Sequence, residues 1–533
     1  MKLPSIRVGA AVAVATLAAG CAAQPGPAPI QQEDAPTTAQ VTVTPEVPAD
    51  KKNREELVIG IDTVTNGFNP HLLADDSAFV QSLAQLVLPS AFYDGDMNSD
   101  LLVSAAEIEP SPGAVQTVQY RIKNEAQWSD GSPVTGADFH YLWSNLRSQP
   151  GVIDPAGYQA MKDVRTSEGG KLVTVDFSRR IDAWQQLFQN LLPSHLLSIG
   201  TESFDRVMAT QVPASAGRYM VRTIDRRRGV IELARNDRFW GKDTADVELL
   251  TFRETTNVSQ AAEMLRTGQL SFAHLTPAET TLDSLRLAQG LQVRTVDRDS
   301  VLGLSFNTAT LHDASLRKTI ASAIDVPLAA RLAAGRSSDL ALADSYQAGP
   351  LPRDEAAIAS AQQLLGRPLK IAVDPAEDSS RDGAIAIADM LRRAGFSVEI
   401  IQTDFKDITA QRISKGEVDL VVGWQRQPDD ALTAAGRYSC ATEGIVADNL
   451  SMWCDKNTEQ YFAEALARNA SKEEIHAYVT ELNSAEMLSL PIMRDKRVDV
   501  LSSGIVGPAP QLDQWPVVAD SSVLSTAHKW KEK

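Results

Sequence analysis

Residues 369–423 predict an α/β fold built on a parallel sheet, and three observations carry that expectation. Strand and helix patterns alternate there on the scale of βαβ units, whose strand ends offer a ligand crevice. Half-buried strand patterns of period two recur between residues 57 and 235. Finally, 533 residues with an apolar share of 43% exceed what one hydrophobic core holds. Roughly one domain per 150 residues points to about three lobes.

In chain order, residues 57–62 (LVIGID) are a buried-strand run that opens the folded body, and 115–122 alternate like a half-buried strand. Helical spacing follows at 134–147, and 171–177 alternate again. Residues 218–224 and 229–235 read as a hairpin around Arg226-Arg227-Arg228, taken as a solvated tip, with a phosphate contact as the alternative. Residues 259–267 form a helix stopped by Gly268. Within 369–423 the expected order is strand 369–374, helix 379–394 ending at Gly395, strand 396–402, helix 404–415 before Gly416, and strand 418–423.

The first 20 residues read as a lipoprotein signal peptide. Lys2 and Arg7 precede an apolar run too short to span a bilayer, and Leu17-Ala18-Ala19-Gly20-Cys21 resembles a bacterial lipobox, with Cys21 the lipidated residue. An ordinary cleavage site releasing a soluble protein is the alternative. Residues 21–54, with prolines at 25, 27, 29, 36, 45 and 48, read as a disordered tether. The expected location is the extracytoplasmic face of the cell membrane, held by a lipid anchor.

A formal charge of −17 argues against a nucleic-acid partner. Cys440 and Cys454 form an even pair in an exported chain, read as a disulfide worth roughly 3 kcal/mol or as two buried thiols. The seven histidines are scattered without metal-ligand spacing, and neither a nucleophile elbow nor a phosphate-binding glycine loop occurs. Ser315-Leu316-Arg317-Lys318 fits S-x-x-K without its companion motifs, so Asp313 or Ser315 as a helix cap explains it better. No enzyme, no cofactor and no metal is expected.

Several co-linear segments resemble family 5 of the bacterial extracellular solute-binding proteins. They are the run 128–139 (WSDGSPVTGADF), Gly217-Arg218-Tyr219, 235–240 (RNDRFW), Phe306-Asn307 with 316–321, and 449–455 (NLSMWCD). The resemblance implies a two-lobed, periplasmic-binding-protein-like clamp (type II, three-domain peptide-binding type) with mixed sheets, acting as a monomer. It places lobe I at 55–105, 215–296 and 490–533, an accessory domain at 106–214, and lobe II at 297–489. Asn66, Phe68, Asn307, Trp424, Arg426, Gln427 and Asp429 fall on the cleft by the same resemblance.

In peptide-binding members an Asp after the last strand of the second lobe pairs with the peptide ammonium. Here that position falls on Gln427, beside Arg426. A guanidinium suits carboxylate or phosphate and repels an amine, which favours an anionic or sugar-bearing ligand. The alternative has Arg426 facing solvent or pairing with Asp429; Trp424 either stacks on a ligand or ends a strand in the core. The stretch 66–76 with 86–90 further resembles a mycobacterial and corynebacterial lipoprotein branch of the family. That branch implies a phosphatidylinositol mannoside ligand, a role in lipoarabinomannan synthesis and a membrane mannosyltransferase partner. An oligopeptide receptor working with an ABC permease, and a ligand-free regulatory scaffold, are the other readings.

Overall fold

The computed structural model describes residues 55–532 except 256, 344–352, 442–443 and 519–520. The signal peptide, Cys21 and the tether lie outside the described residues.

A ten-stranded mixed sheet forms the frame. From edge to edge its strands are Val398–Gln402, Leu369–Val373, Leu420–Arg426, Gln292–Phe306, Ser489–Leu501, Phe272–Leu275, Glu56–Ile61, Leu249–Glu254, Val230–Arg235 and Tyr219–Asp225. Leu369–Val373 pairs in parallel with both Val398–Gln402 and Leu420–Arg426, as the βαβ pattern requires. The two longest strands, Gln292–Phe306 and Ser489–Leu501, run antiparallel to each other. At one end of their ladder Ser300–Phe306 pairs with Leu420–Arg426, and at the other Val498–Leu501 pairs with Phe272–Leu275. The ladder is irregular between Asp297 and Val301 and again between Leu302 and Gly303. This pair therefore joins two halves of the sheet, each with its own apolar core. The architecture is that of a two-lobed, type II periplasmic-binding clamp.

A separate antiparallel sheet orders Leu102–Ile108, Gln116–Ile122, Leu172–Phe177 and Met161–Ser167. The helix Gly136–Leu146 packs on it. Thr135 accepts from the Ala137 amide, and Asp138 reaches back to the Thr135 amide at 2.9 Å, a cap that fixes where the helix starts. Tyr120, Phe139, Trp184 and Phe188 meet edge-on or tilted at 4.8–5.8 Å beneath it. The helices Ala431–Tyr438, Lys456–Arg468 and Lys472–Glu486 contribute Leu432, Tyr438, Phe462 and Val479 to that same core.

Helix 379–394 is observed as Asp378–Arg393, with Gly395 in the left-handed region at φ 99°. The expected helix 404–415 differs. A short α-turn at Phe405–Asp407 passes into a π-helical stretch, Ile408–Arg412, and the third strand continues to Arg426. That longer strand carries Trp424, Gln425 and Arg426 out to the junction of the two halves. The motifs that carried the family resemblance interlock as scaffolding. Asn236 donates to the Gly217 carbonyl at 2.8 Å, Trp240 to the Asp100 carbonyl at 2.6 Å, and Arg218 lies over the Phe239 ring at 5.1 Å.

Candidate functional site

The junction is built from three directions. From the Glu56–Ile61 side comes the turn Leu73–Asp75 with Asp76, followed by the helix Ala78–Val87. From the region of the four-stranded sheet comes Asp154, in the left-handed region at φ 49°. From the Leu420–Arg426 side come Arg426, Lys406 and the segment 446–450. Leu73, Ile153, Phe405, Ile408, Val446 and Leu450 form one apolar cluster across this meeting point, and the Gly151 amide donates to the Val446 carbonyl at 2.8 Å.

Arg426 pairs with two carboxylates far from it in sequence. Its Nε lies 3.3 Å from Asp76 Oδ2 and its Nη1 3.3 Å from Asp154 Oδ2, with the guanidinium largely buried. Gln81 donates to the other Asp76 oxygen at 2.8 Å. One residue earlier, Asp75 is fully buried and pairs with Lys406 at 3.2 Å; its oxygens also accept from the Gly67 and Asn69 amides. A Cβ on Gly67 would fall 2.4 Å from Asp75 Oδ2, so only glycine lets the chain come this close. Lys406 also donates to the Asp205 carbonyl at 2.7 Å.

Carboxylates crowd this place, and their protonation responds. Burial pushes Asp154 up to about 7; Arg426 pulls it down, and Asp430 and Asp448 push it further up. Burial likewise raises Asp448, against Arg437, and Asp75, against Lys406. Buried His71 is held down to about 4 by desolvation, with Arg426 adding to the effect, and its Nε2 sits 2.9 Å from the Asn190 carbonyl.

Behind Arg426 lies a small cavity lined by Val301, Gly303, Gln425, Gln427, Arg437 and Ser489. It holds about 20 Å³ of water-accessible space, room for about one water. Gln425 donates to Asp448 at 3.2 Å and Arg437 donates to the Arg426 carbonyl. Gln427 Oε1, Arg437 Nε and Asp154 Oδ1 are buried with no hydrogen-bond partner among the described residues. A larger open groove, about 710 Å³, flanks the four-stranded sheet, lined by Ser132, Thr135, His140, Tyr141, Thr166 and His195; none of the junction residues lines it.

The remaining expected site residues separate. Gln427 reaches the cavity, with its amide on the Asp299 carbonyl at 2.8 Å. Asp429 follows half-buried, raised by burial and by Asp299. Trp424 is half-buried; it donates to Glu377 at 2.9 Å and packs partly on the second core. Asn307 is fully buried; its carboxamide donates to the Ile413 and Val418 carbonyls. Phe68 is buried 5.0 Å beneath Arg226, and Asn66 donates to the Ala74 carbonyl at 2.6 Å. Arg226 is exposed like Arg227 and Arg228, as expected of a solvated tip, but it is also tied down. Its guanidinium donates to the carbonyls of Val64, Thr65, Asn66 and Ala209.

Cys440 and Cys454 form a disulfide, closing the loop that carries Asp448 and Asn449. Asp313 caps the helix Ala314–Ser322 through the Ser315 amide at 2.8 Å, which accounts for the S-x-x-K match. Among the described residues no group of three or more His, Cys, Asp or Glu could hold a metal ion, and no helix is long and apolar enough to cross a membrane.

Asp75, Asp76, Asp154, Lys406, Arg437 and Asp448 were not singled out by sequence reasoning. The available signal was charge in apolar company, as in Ile153-Asp154-Pro155 and Ala447-Asp448-Asn449.

The middle region of the bacterial extracellular solute-binding proteins, family 5, matches residues 105–444. The chain belongs to that family. Its members here include a Mycobacterium tuberculosis protein named "Probable monoacyl phosphatidylinositol tetramannoside-binding protein LpqW", 29% identical over 501 residues, covering 82% of this chain and 77% of the relative. The oligopeptide-binding protein OppA of the same species is 28% identical over 355 residues, covering 61% and 57%. Among solved structures, Bacillus subtilis AppA with a nonapeptide covers 90% of this chain and all of its own at 13% identity, TM-score 0.66. AgaA with agropinic acid, from A. tumefaciens R10, covers 90% and 99% at 16% identity, TM-score 0.69. These two share the clamp fold.

Proposed function

We propose that this family 5 protein is a lipid-anchored extracytoplasmic receptor whose cleft takes the mannosylated headgroup of a phosphatidylinositol mannoside, and that it influences cell-envelope lipoglycan synthesis. Cys21 is the anchor, and a membrane mannosyltransferase is the partner. The likeness to LpqW over 82% of the chain carries this reading. The chemistry of the junction supports it: Asp76, Asp154, Asp448, Gln425 and Gln427 offer acceptors and carboxamides suited to sugar hydroxyls. The expected phosphate contact through Arg426 finds no support, because two carboxylates already neutralise its guanidinium. Headgroup recognition therefore runs through hydroxyls.

An oligopeptide receptor for an ABC permease is the second reading, favoured by the OppA relatives. The test is thermal shift and titration of the purified full chain in detergent against phosphatidylinositol mannosides and mixed oligopeptides. Stabilisation by mannosides alone supports the first reading, and stabilisation by peptides alone replaces it with the second. Silence from both panels leaves the ligand-free scaffold.

A further inference from the structure

The cavity behind Arg426 is bounded by polar groups that the fold uses only in part. Three strands wall it: Gln292–Phe306 with Gly303 and Ser305, Leu420–Arg426 with Gln425, and Ser489–Leu501 with Ser489. The helix Ala431–Tyr438 closes it with Arg437, and Gln427 stands just past the end of the second strand. Some of this wall is already spent. Ser305 donates to Gln425 at 3.3 Å, and Gln425 donates to Asp448 at 3.2 Å. Two groups are not. Gln427 and Arg437 are 5% and 8% exposed, and Gln427 Oε1 and Arg437 Nε have no hydrogen-bond partner among the described residues. One is an acceptor and the other a donor, on side chains that line a space for about one water.

That combination selects what fits. A hydroxyl both donates and accepts, so a single oxygen answers Gln427 and Arg437 together. An ammonium only donates and leaves Arg437 Nε unpaired; a carboxylate only accepts and leaves Gln427 Oε1 unpaired. Charge points the same way. Arg426 is held by Asp76 and Asp154, and Arg437 acts on the buried Asp448. A further ion of either sign would be an unmatched charge in a buried place, a cost that a neutral group avoids. Gly303 supplies the room. A methyl added there would meet nothing nearer than the Leu490 carbonyl oxygen at 3.4 Å, an ordinary contact, so alanine fits the backbone and takes up cavity space.

We propose that this cavity is a hydroxyl-selective subsite in which Gln427 and Arg437 determine specificity: it takes one hydroxyl of a neutral polyhydroxylated ligand and rejects an amine or a carboxylate at that point. The inference rests on the reading of this junction as the ligand cleft, and it adds which functional group is recognised there. A water molecule answers the same donor and acceptor, so the experiment has to tell a ligand oxygen from water.

The full chain in detergent is titrated by calorimetry with phosphatidylinositol mannosides whose terminal mannose is native, monodeoxy or monoamino-deoxy at each position in turn. A second panel holds oligopeptides with a free amino terminus and the same peptides capped with a hydroxyacetyl group. Gly303→Ala, which fills the cavity, and Gln427→Met, which keeps the size and removes the acceptor, are run beside the wild type. At one position the deoxy and amino compounds should each bind the wild type at least about tenfold more weakly than the native mannoside. In both variants the native mannoside should lose that factor, and the deoxy compound should lose nothing further. If no position matters in the wild type, or the variants bind the native mannoside as the wild type does, or they lose native and deoxy compounds equally, the cavity holds water only and the proposal is overturned. Should one variant not fold, the other decides. Mannosides that fail to bind while hydroxyacetyl peptides bind more tightly than free-amine ones remove the glycolipid reading and uphold the subsite. A preference for the free amine overturns the subsite, and silence from both panels removes both ideas.

Discussion

Reduction of the Cys440–Cys454 bond gives a test whose size can be worked out beforehand. The bond spans a sequence separation of 14. Loop-closure entropy for a ring of that size puts its contribution at about 3 kcal/mol. Cys454 is exposed and Cys440 half-buried, so reductant reaches them without unfolding. The loop keeps other ties after reduction: Asn449 donates to the Ser439 and Trp453 carbonyls at 2.8 Å, and Gln425 donates to Asp448. The loss is therefore one of restraint on the unfolded chain, with the native loop remaining in place. For a body spanning residues 55–533 that unfolds as one unit, about 2.1 cal/mol/K per residue sums to an unfolding entropy of about 1 kcal/mol/K. The expected fall in melting temperature is then about 3 °C. Calorimetry of Cys440→Ser/Cys454→Ser against the oxidised wild type measures it. A variant that melts within about 1 °C of the wild type refutes the entropic reasoning. Alkylation of both cysteines in the unreduced folded protein, read by peptide mapping, refutes the bond itself.

Two further outcomes are expected. His71 is neutral in the native state down to about pH 4, whereas the unfolded chain takes up the proton near 6.5. Stability should therefore fall as pH drops through 6.5 and stop falling near 4, by about 3 kcal/mol from this group. A pH series of melts should show His71→Gln with a flatter acid limb than the wild type. At Gly217 an added methyl would lie 2.3 Å from the Leu86 carbonyl oxygen and 2.9 Å from Val87 Cα, both backbone atoms. Gly217→Ala should cost about 3 kcal/mol by overpacking; a circular-dichroism melt unchanged from the wild type would contradict that.

What the sequence made legible was the part of the molecule governed by local pattern. The βαβ segment 369–423, the Tyr219–Asp225/Val230–Arg235 hairpin and the Thr135-capped helix follow from periodicity and capping, which depend on neighbours within a few residues. The π-helical turn at Ile408–Arg412 escaped because nothing in its composition separates it from an ordinary helix; packing against Leu73 and Ile153 accompanies it. The candidate site was legible only in part. Arg426 and Gln427 were singled out by the family resemblance, yet Asp76 and Asp154, which pair with Arg426, lie 350 and 272 residues away in sequence. Pairing across such separations is set by the fold as a whole. Asn307 and Phe68 show the converse: each sits in a motif of the family, and each serves the interior, Asn307 by satisfying two core carbonyls and Phe68 by carrying Arg226. Motifs mark what the fold needs, and a binding residue has to be sought among its exceptions.

The irregular stretch of ladder between Asp297 and Val301 limits the kinds of movement open to the protein. Two strands hydrogen-bonded on both sides of a bulge bend and twist there readily, but they cannot slide past one another without breaking every rung. Any opening that keeps those rungs would be a swing about that stretch, with the distances inside each half unchanged. A pair of spectroscopic labels within one half would report nothing as the mouth widens, while a pair placed across the bulge would report the whole stroke. The angle reached would depend on how far the swing carries Asp76 from Arg426.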